Sequence, residues 1–371
     1  MLKTNFSNQE LQSKVIDFLR FPLIVGVLFI HNEAGKLVVN GEILGSDGFL
    51  FYYCSQFFSH VLGRIAVPLF FFVSGFLFFL NISKFNLHSY ESKLLMRAKT
   101  LLIPYIFWNL VVFVIYFALQ SIPALNTFTN KELDWHNILS YLWNNSGEMK
   151  AGYPLELGTV SFPIAYQFWF IRDLMIVVLF SPLIYLICKY TKFYGLITLG
   201  ILWYFGCWPH FVGFGIVSIF FFTAGAYFGI NKYNLLECFG KVRNLSFVLY
   251  PIIAIADLLT KEFLFNSYIH KAGILIGIML CFNLVTLLFE RKRIKSISFL
   301  SAASFYVFAM HEPLMKTLRK ITFLIVKPES DISLTSLYFL NVITIIALAL
   351  CSYWLLRKFL PKFTAVITGG R

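Results

Sequence analysis

Polar positions along this chain fall in clusters, and between the clusters lie apolar runs near the ~20 residues that cross a hydrocarbon layer as a helix. The runs sit at about 15–32, 62–82, 101–120, 165–187, 193–207, 211–230, 245–260, 272–289, 298–314 and 335–356. The second run (IAVPLFFFVSGFLFFL at its centre), the fourth and the tenth are unbroken; the fifth and seventh are short. A backbone in lipid must satisfy its own hydrogen bonds, so repeated runs of this length predict helices. The pattern predicts an all-α polytopic transmembrane helical bundle of about ten spans, one domain over 1–371. Its longest non-spanning stretches are about 33–60 and 121–164. The first run follows Lys3, Glu10 and Lys14 without a small-residue cleavage site, so it is expected as a retained helix rather than a leader.

Composition supports the pattern. Of 371 residues 58% are hydrophobic, 44 are Phe and 13% are charged, where soluble domains run about 25% charged. Mean hydropathy is +0.75. A soluble fold has no place for so much Phe, Ile and Leu, and a soluble enzyme, a disordered chain and a disulfide scaffold are excluded. The six cysteines (54, 188, 207, 238, 281 and 351) form no Cys-x-x-Cys pair. They read as packing residues, with no disulfide and no metal expected.

A net charge of +13 would point to nucleic acid in a soluble protein; here it sorts by side. With the N-terminus inside, 19 of the 31 basic residues fall on the inner face, which carries +15 against −1 outside. Both termini are then expected in the cytoplasm, and no nucleic-acid partner is expected. The outer loop 121–164 carries Asp134, Trp135, His136, Trp143, Asn144, Asn145 and Glu148, which serve either as a solvated cap or as binding residues.

Ionisable groups inside apolar runs are costly and mark candidate sites. The first run, KVIDFLRFPLIVGVLFIHN, holds Asp17, Arg20 and His31. Eleven residues are nearly three turns, so Arg20 and His31 share one helix face, roughly 16 Å apart along the axis. Asp17 lies one turn below Arg20 and can pair with it. One reading is a snorkelling Arg and an interfacial His. The other has a length scale: the phosphates of a cytoplasmic thioester donor suit the planar fork of Arg20. His31, three turns higher, then serves as general base on an acceptor hydroxyl.

Asp17-Phe-Leu-Arg20, ten residues and then His31 resembles the Arg-x10-His signature of the bacterial integral-membrane acyltransferase-3 family, the surface-polysaccharide O-acyltransferases. Four further segments resemble its motifs in order: VPLFFFVSGFLF (67–78, with Ser74), RAKTLLIPY (97–105), FWFIRDL (168–174, with Trp169) and SFYVFAMHEPL (304–314). The resemblance spans about 14–360. It implies acyl-CoA, usually acetyl-CoA, as donor and a hydroxyl of a cell-surface glycan or glycolipid precursor as acceptor. It also implies a multi-pass protein of the bacterial cell (inner) membrane, with His31 catalytic and Arg20 essential at the CoA. The FWFIRDL form is also similar to relatives in fucose O-acetylation and glucan succinylation, so the acyl group stays open between acetyl and succinyl.

Other groups keep two readings. Arg172 and Asp173 point about 100° apart and need not pair; they are buried charges held by neighbouring helices, or acceptor or acyl contacts near His31. His311 and Glu312 fall level with His31, before a Pro313 expected to end the helix; they are interfacial residues or substrate contacts. Ser74 and Gly75 are close-packing residues or line an acyl tunnel. Lys84, Lys93, Arg97 and Lys99 set topology, or meet CoA phosphates at the inner mouth. His60, His88, His136, His210 and His270 are expected at loops or interfaces, with no role assigned. A transporter or flippase of the precursor is the alternative function, but no internal repeat supports it. Oligomeric state is not legible in the sequence.

Overall fold

Ser7 starts the first helix, α1 (Asn8–His31), through a capping box: the Ser7 Oγ accepts from the Glu10 amide at 3.3 Å and the Glu10 carboxylate accepts from the Ser7 amide at 2.9 Å. The computed structural model describes residues 7–39, 42–45, 48–82, 85–120, 133–145, 149–150, 159–160, 162–209 and 211–370. The longer helices that follow are α2 (Phe49–Phe79), α3 (Leu87–Gln120), α4 (Trp169–Leu179), α5 (Ser181–Tyr190), α6 (Phe193–Phe205) and α7 (Ile216–Ile230). After them come α8 (Arg243–Leu259), α9 (Asn266–Glu290), α10 (Ser298–Val326), α11 (Asp331–Phe359) and α12 (Pro361–Thr368). A small antiparallel hairpin, β1 (Lys36–Val39) and β2 (Glu42–Gly45), pairs Lys36 with Gly45.

The protein is mostly helical. Among the described residues, four helices are long and apolar enough to cross a membrane (α2, α3, α9 and α11). The α4–α5 pair, bent by 61°, makes a fifth if taken as one span, and α6 and α7 are shorter apolar helices. The bend falls beside Pro182, which cannot donate to the Val178 carbonyl. Two expected boundaries move. α2 begins at Phe49, so the expected outer stretch 33–60 is helical over its last part; Pro313 lies inside α10, which continues to Val326. Proline in such a helix removes one donor without ending it where neighbouring groups re-satisfy the backbone. Glu148, His210, Lys84 and residues 121–132 and 151–158 of the expected outer loop lie outside the described residues.

The chain forms two compact units, Met1–Leu80 with Ala224–Ser352, and Asn81–Thr223 with Tyr353–Arg371. In the first, α1 buries a stripe at four-residue spacing (Leu11, Val15, Leu19, Leu23, Val27). A Cβ on Gly63 would fall 2.8 Å from the Gly26 carbonyl, which brings α2 against α1. α7 meets α2 through Gly225 and Gly229, where added side chains would strike the Phe72 and Phe76 carbonyls. Ser74 is half-buried and Gly75 is buried in the same helix. Asp331 caps α2 from a distance: its carboxylate accepts from the Leu50 and Phe51 amides at 2.6 and 2.7 Å, where Gly48 offers no side chain.

In the second unit, the Trp108 indole donates to the Ile367 carbonyl at 3.0 Å, tying α12 to α3. Asn109, fully buried, accepts from the Ala165 amide at 3.0 Å and donates to the Tyr105 carbonyl at 2.8 Å. An apolar cavity of about 530 Å³ lies among Leu94, Arg97, Tyr105, Trp143, Arg172 and Met175.

Candidate functional site

The C-terminal end of α1 is fastened on two sides. Asn32 donates from its side chain to the Tyr338 carbonyl at 2.8 Å, and its amide closes the helix on the Phe29 carbonyl at 3.2 Å. Arg319 of α10 donates to the His31 carbonyl at 3.2 Å, a cation placed where a helix end gathers partial negative charge. These bonds fix the last turn and hence the His31 side chain.

α10 brings two more titratable groups to His31. Its Nδ1 lies 3.7 Å from Glu312 Oε2, inside ion-pair range and just beyond a hydrogen bond, and the His31 and His311 rings are 5.0 Å apart. The other oxygen of Glu312 pairs with Lys316 Nζ at 2.8 Å, one turn further along. His311 Nδ1 contacts the Phe308 carbonyl at 2.5 Å. A carbonyl only accepts, so Nδ1 carries the proton and Nε2 keeps its lone pair. His311 Nε2 and Glu312 Oε2 are buried and have no hydrogen-bond partner among the described residues. Two acceptor atoms and an imidazole thus converge at the end of α1, which suits a hydroxyl whose proton is to be removed.

Arg20 sits on α1 with Asp17, whose Oδ1 lies 3.3 Å from its Nη1; both are more than a third exposed. Eleven residues of helix rise put it roughly 16 Å from His31. Arg97 and Lys99, the other expected donor contacts, belong to the second unit: Arg97 lines the cavity there, and Lys99 is exposed in a π-helical turn over Ala98–Leu102.

Arg172 and Asp173, which their 100° separation did not require to pair, do pair. Asp173 Oδ1 accepts from Arg172 Nε at 3.0 Å and from Nη2 at 2.9 Å, because the long guanidinium stem folds back over its neighbour. Arg172 Nη1 also donates to the Trp143 carbonyl at 2.8 Å. Both charges are buried, bonded to each other as well as to a neighbouring segment. Trp169, at the start of the same helix, is half-buried. In the loop, His136 pairs with Asp134 at 2.8 Å and remains exposed.

Three residues left without a role in the sequence come together in the first unit. His60 and His270 lie inside helices, not in loops, and are buried with Asp257 between them. The ligand atoms of this trio all lie within 4.8 Å of one another; the same holds for His31, His311 and Glu312. Spacing gave no sign of it, since 60 is remote from 257 and 270. The available signal was Asp257 itself, a carboxylate inside an apolar run. Lys316 and Arg319 were missed because Pro313 read as the end of their helix.

The acyltransferase-3 family, described as an acyltransferase domain, matches residues 14–364. A curated protein of Rhizobium meliloti (strain 1021), the succinoglycan biosynthesis protein ExoH, is 26% identical over 366 residues, covering 96% of this chain and 92% of the relative. No solved structure matches.

Proposed function

The chain belongs to the acyltransferase-3 family, and from that premise we propose that it moves an acyl group, acetyl in the first instance, from cytoplasmic acyl-CoA to a hydroxyl of a cell-surface glycan or glycolipid precursor. The relative's name places that protein in succinoglycan biosynthesis, which supports a polysaccharide acceptor and keeps succinyl open as the acyl group. The protein is then a multi-pass protein of the bacterial inner membrane with about ten spans and both termini inside, as its charge asymmetry favours.

The observation that carries this reading is the meeting of His31 with Glu312 at the far end of the helix that holds Arg20. Arg20 binds donor phosphates at the inner end. Glu312 orients His31 through Nδ1, and Nε2 takes the proton of the acceptor hydroxyl. The alkoxide oxygen attacks the thioester carbonyl, the C–S bond breaks, and the CoA thiolate leaves to be protonated. Ser74, Trp169, Arg172, Asp173 and His311 stand as candidate substrate contacts, and Arg97 and Lys99 as further donor contacts.

The test is acyl transfer in membranes given labelled acetyl-CoA or succinyl-CoA, with the host polysaccharide profiled by mass spectrometry. Label should enter the glycan with the parent protein and not with His31→Gln. Equal labelling by both proteins sinks the assignment of the base. A glycan unlabelled by either donor, with the protein active only as a precursor exporter, sinks the reaction and favours a flippase.

A further inference from the structure

We propose that His60, Asp257 and His270 form a binding site for a divalent transition-metal ion of the zinc class, which braces the segment next to His31. The three side chains come from three parts of the first unit: a π-helical turn of α2 over Phe57–Leu62, the end of α8, and the start of α9. Turns of that kind are rare and concentrate at functional sites. All three residues are more than nine-tenths buried.

The geometry is that of a converging donor set. His270 Nδ1 lies 2.8 Å from Asp257 Oδ2, and His60 Nε2 lies 3.3 Å from Asp257 Oδ1. The two imidazoles stack, with centroids 4.2 Å apart and planes 21° off parallel, so both present an edge to the same carboxylate. Hydrogen bonding alone does not account for the trio. His60 Nε2 is buried, faces the carboxylate, and makes no hydrogen bond of acceptable angle with any described residue. A buried ring nitrogen without a hydrogen bond is costly, and as the neutral imidazole with its proton on Nδ1 it would offer a metal ion its lone pair.

Two imidazoles and one carboxylate suit zinc and its neighbours; magnesium and calcium want an all-oxygen shell. The carboxylate is itself held from behind. Asn266 Nδ2 donates to Asp257 Oδ1 at 2.9 Å and to the Asp257 carbonyl at 2.8 Å, which fixes the ligand as outer-shell partners do.

Four residues from the trio in sequence lie Gln56, on α2 before His60, and Lys261, in the turn just past the end of α8. Both meet Glu33, two residues past His31: Gln56 Nε2 donates to Glu33 Oε1 at 2.7 Å, and Lys261 Nζ lies 3.6 Å from the same oxygen. An ion that clamps α2 to the α8–α9 hairpin therefore also steadies the chain leaving α1. Metal binding itself does not rest on the acyl-transfer reading, and its test does not read activity.

The experiment uses the full chain purified in detergent and exchanged into metal-free buffer, then titrated with Zn²⁺ or Co²⁺. Bound metal is counted by mass spectrometry, Co²⁺ is followed by its visible absorption, and thermal unfolding is recorded with and without a chelator. Stoichiometric uptake with a raised Tm is expected in the parent protein. Uptake should be lost in His60→Gln, His270→Gln and Asp257→Asn and kept in His31→Gln, while Asn266→Ala should weaken it about 10–100-fold. A folded parent that takes up no metal, with an unmoved Tm, overturns the proposal whatever the variants do. So does uptake that survives in His60→Gln, or that is lost with His31→Gln, which would put the ion at the other cluster.

Discussion

Glu312 shows how one side chain can bear on both chemistry and register. It reaches His31 with one oxygen and Lys316 with the other, so the carboxylate is held from the far side while it faces the imidazole. Glu312→Gln removes the charge and keeps the shape. Turnover should fall while donor affinity stays, whereas His31→Gln should cost about 10²–10⁴-fold in turnover, the share of a positioned general base. Activity should also disappear on the acid side of the pH profile, because a protonated imidazole cannot accept the hydroxyl proton. Steady-state rates set beside CoA titration separate the two effects; a Glu312→Gln protein of full activity would return Glu312 to a structural pairing. Arg20→Ala should weaken CoA binding, and Arg20→Lys should recover only part of it, since an ammonium gives a point charge in place of a two-pronged fork. Unchanged CoA affinity in Arg20→Ala would leave Arg20 as no more than the partner of Asp17. At this scale the sequence was informative where spacing spoke: the level of His311 and Glu312 with His31 was readable from helical rise. The Arg172–Asp173 pair was not, because angular separation at Cβ says little about where a long guanidinium arm comes to rest.

Among the elements, α2 owes its start to a residue far along the chain. Gly48 cannot cap it, and Asp331 accepts from two of its free amides while also opening α11. A carboxylate at such a position is favoured by the helix end it faces. Asp331→Ala should cost about 1 kcal/mol, the usual loss of a side-chain cap. A drop in Tm of the detergent-solubilised protein checks it, and an unchanged Tm would mean that water caps the helix as well. This long-range cap also explains why the beginning of α2 at Phe49 was hidden: no local cap or apolar periodicity marks it, and polar residues such as Ser55, Gln56 and His60 made the stretch resemble a loop. The run of α10 through Pro313 was hidden for a related reason. Proline is a reliable stop in water, where a freed carbonyl is simply solvated, and a poor one in a packed apolar helix.

For the whole molecule, hydropathy located most of the helices, and the charge count proposes which way they run. Reporter fusions at residue 140 should read external and at residue 293 internal if the segments richer in Lys and Arg are the inner ones. The opposite pattern would put His31 on the cytoplasmic side and remove the case for an external acceptor. The buried trio of His60, Asp257 and His270 could not be read at this scale from one sequence, because only the packing of α2 against the α8–α9 hairpin brings it together.

α10 carries Glu312, Lys316, Arg319 and Phe323 at steps of four, three and four, so one stripe of a single helix serves the imidazole, its carboxylate, the end of α1 and the hydrophobic cluster around Tyr338. The stripe makes the site intolerant of changes in chain length. One alanine inserted between Glu312 and Arg319 turns everything beyond it by about 100°, so the contact with Glu312 and the bond to the His31 carbonyl can no longer hold together. The same insertion in the connection 327–330, past the last of these contacts, leaves the stripe in phase. Expression and acyl transfer should collapse for the first insertion and survive the second. Survival of both would show that α10 can slip by a residue without loosening the end of α1.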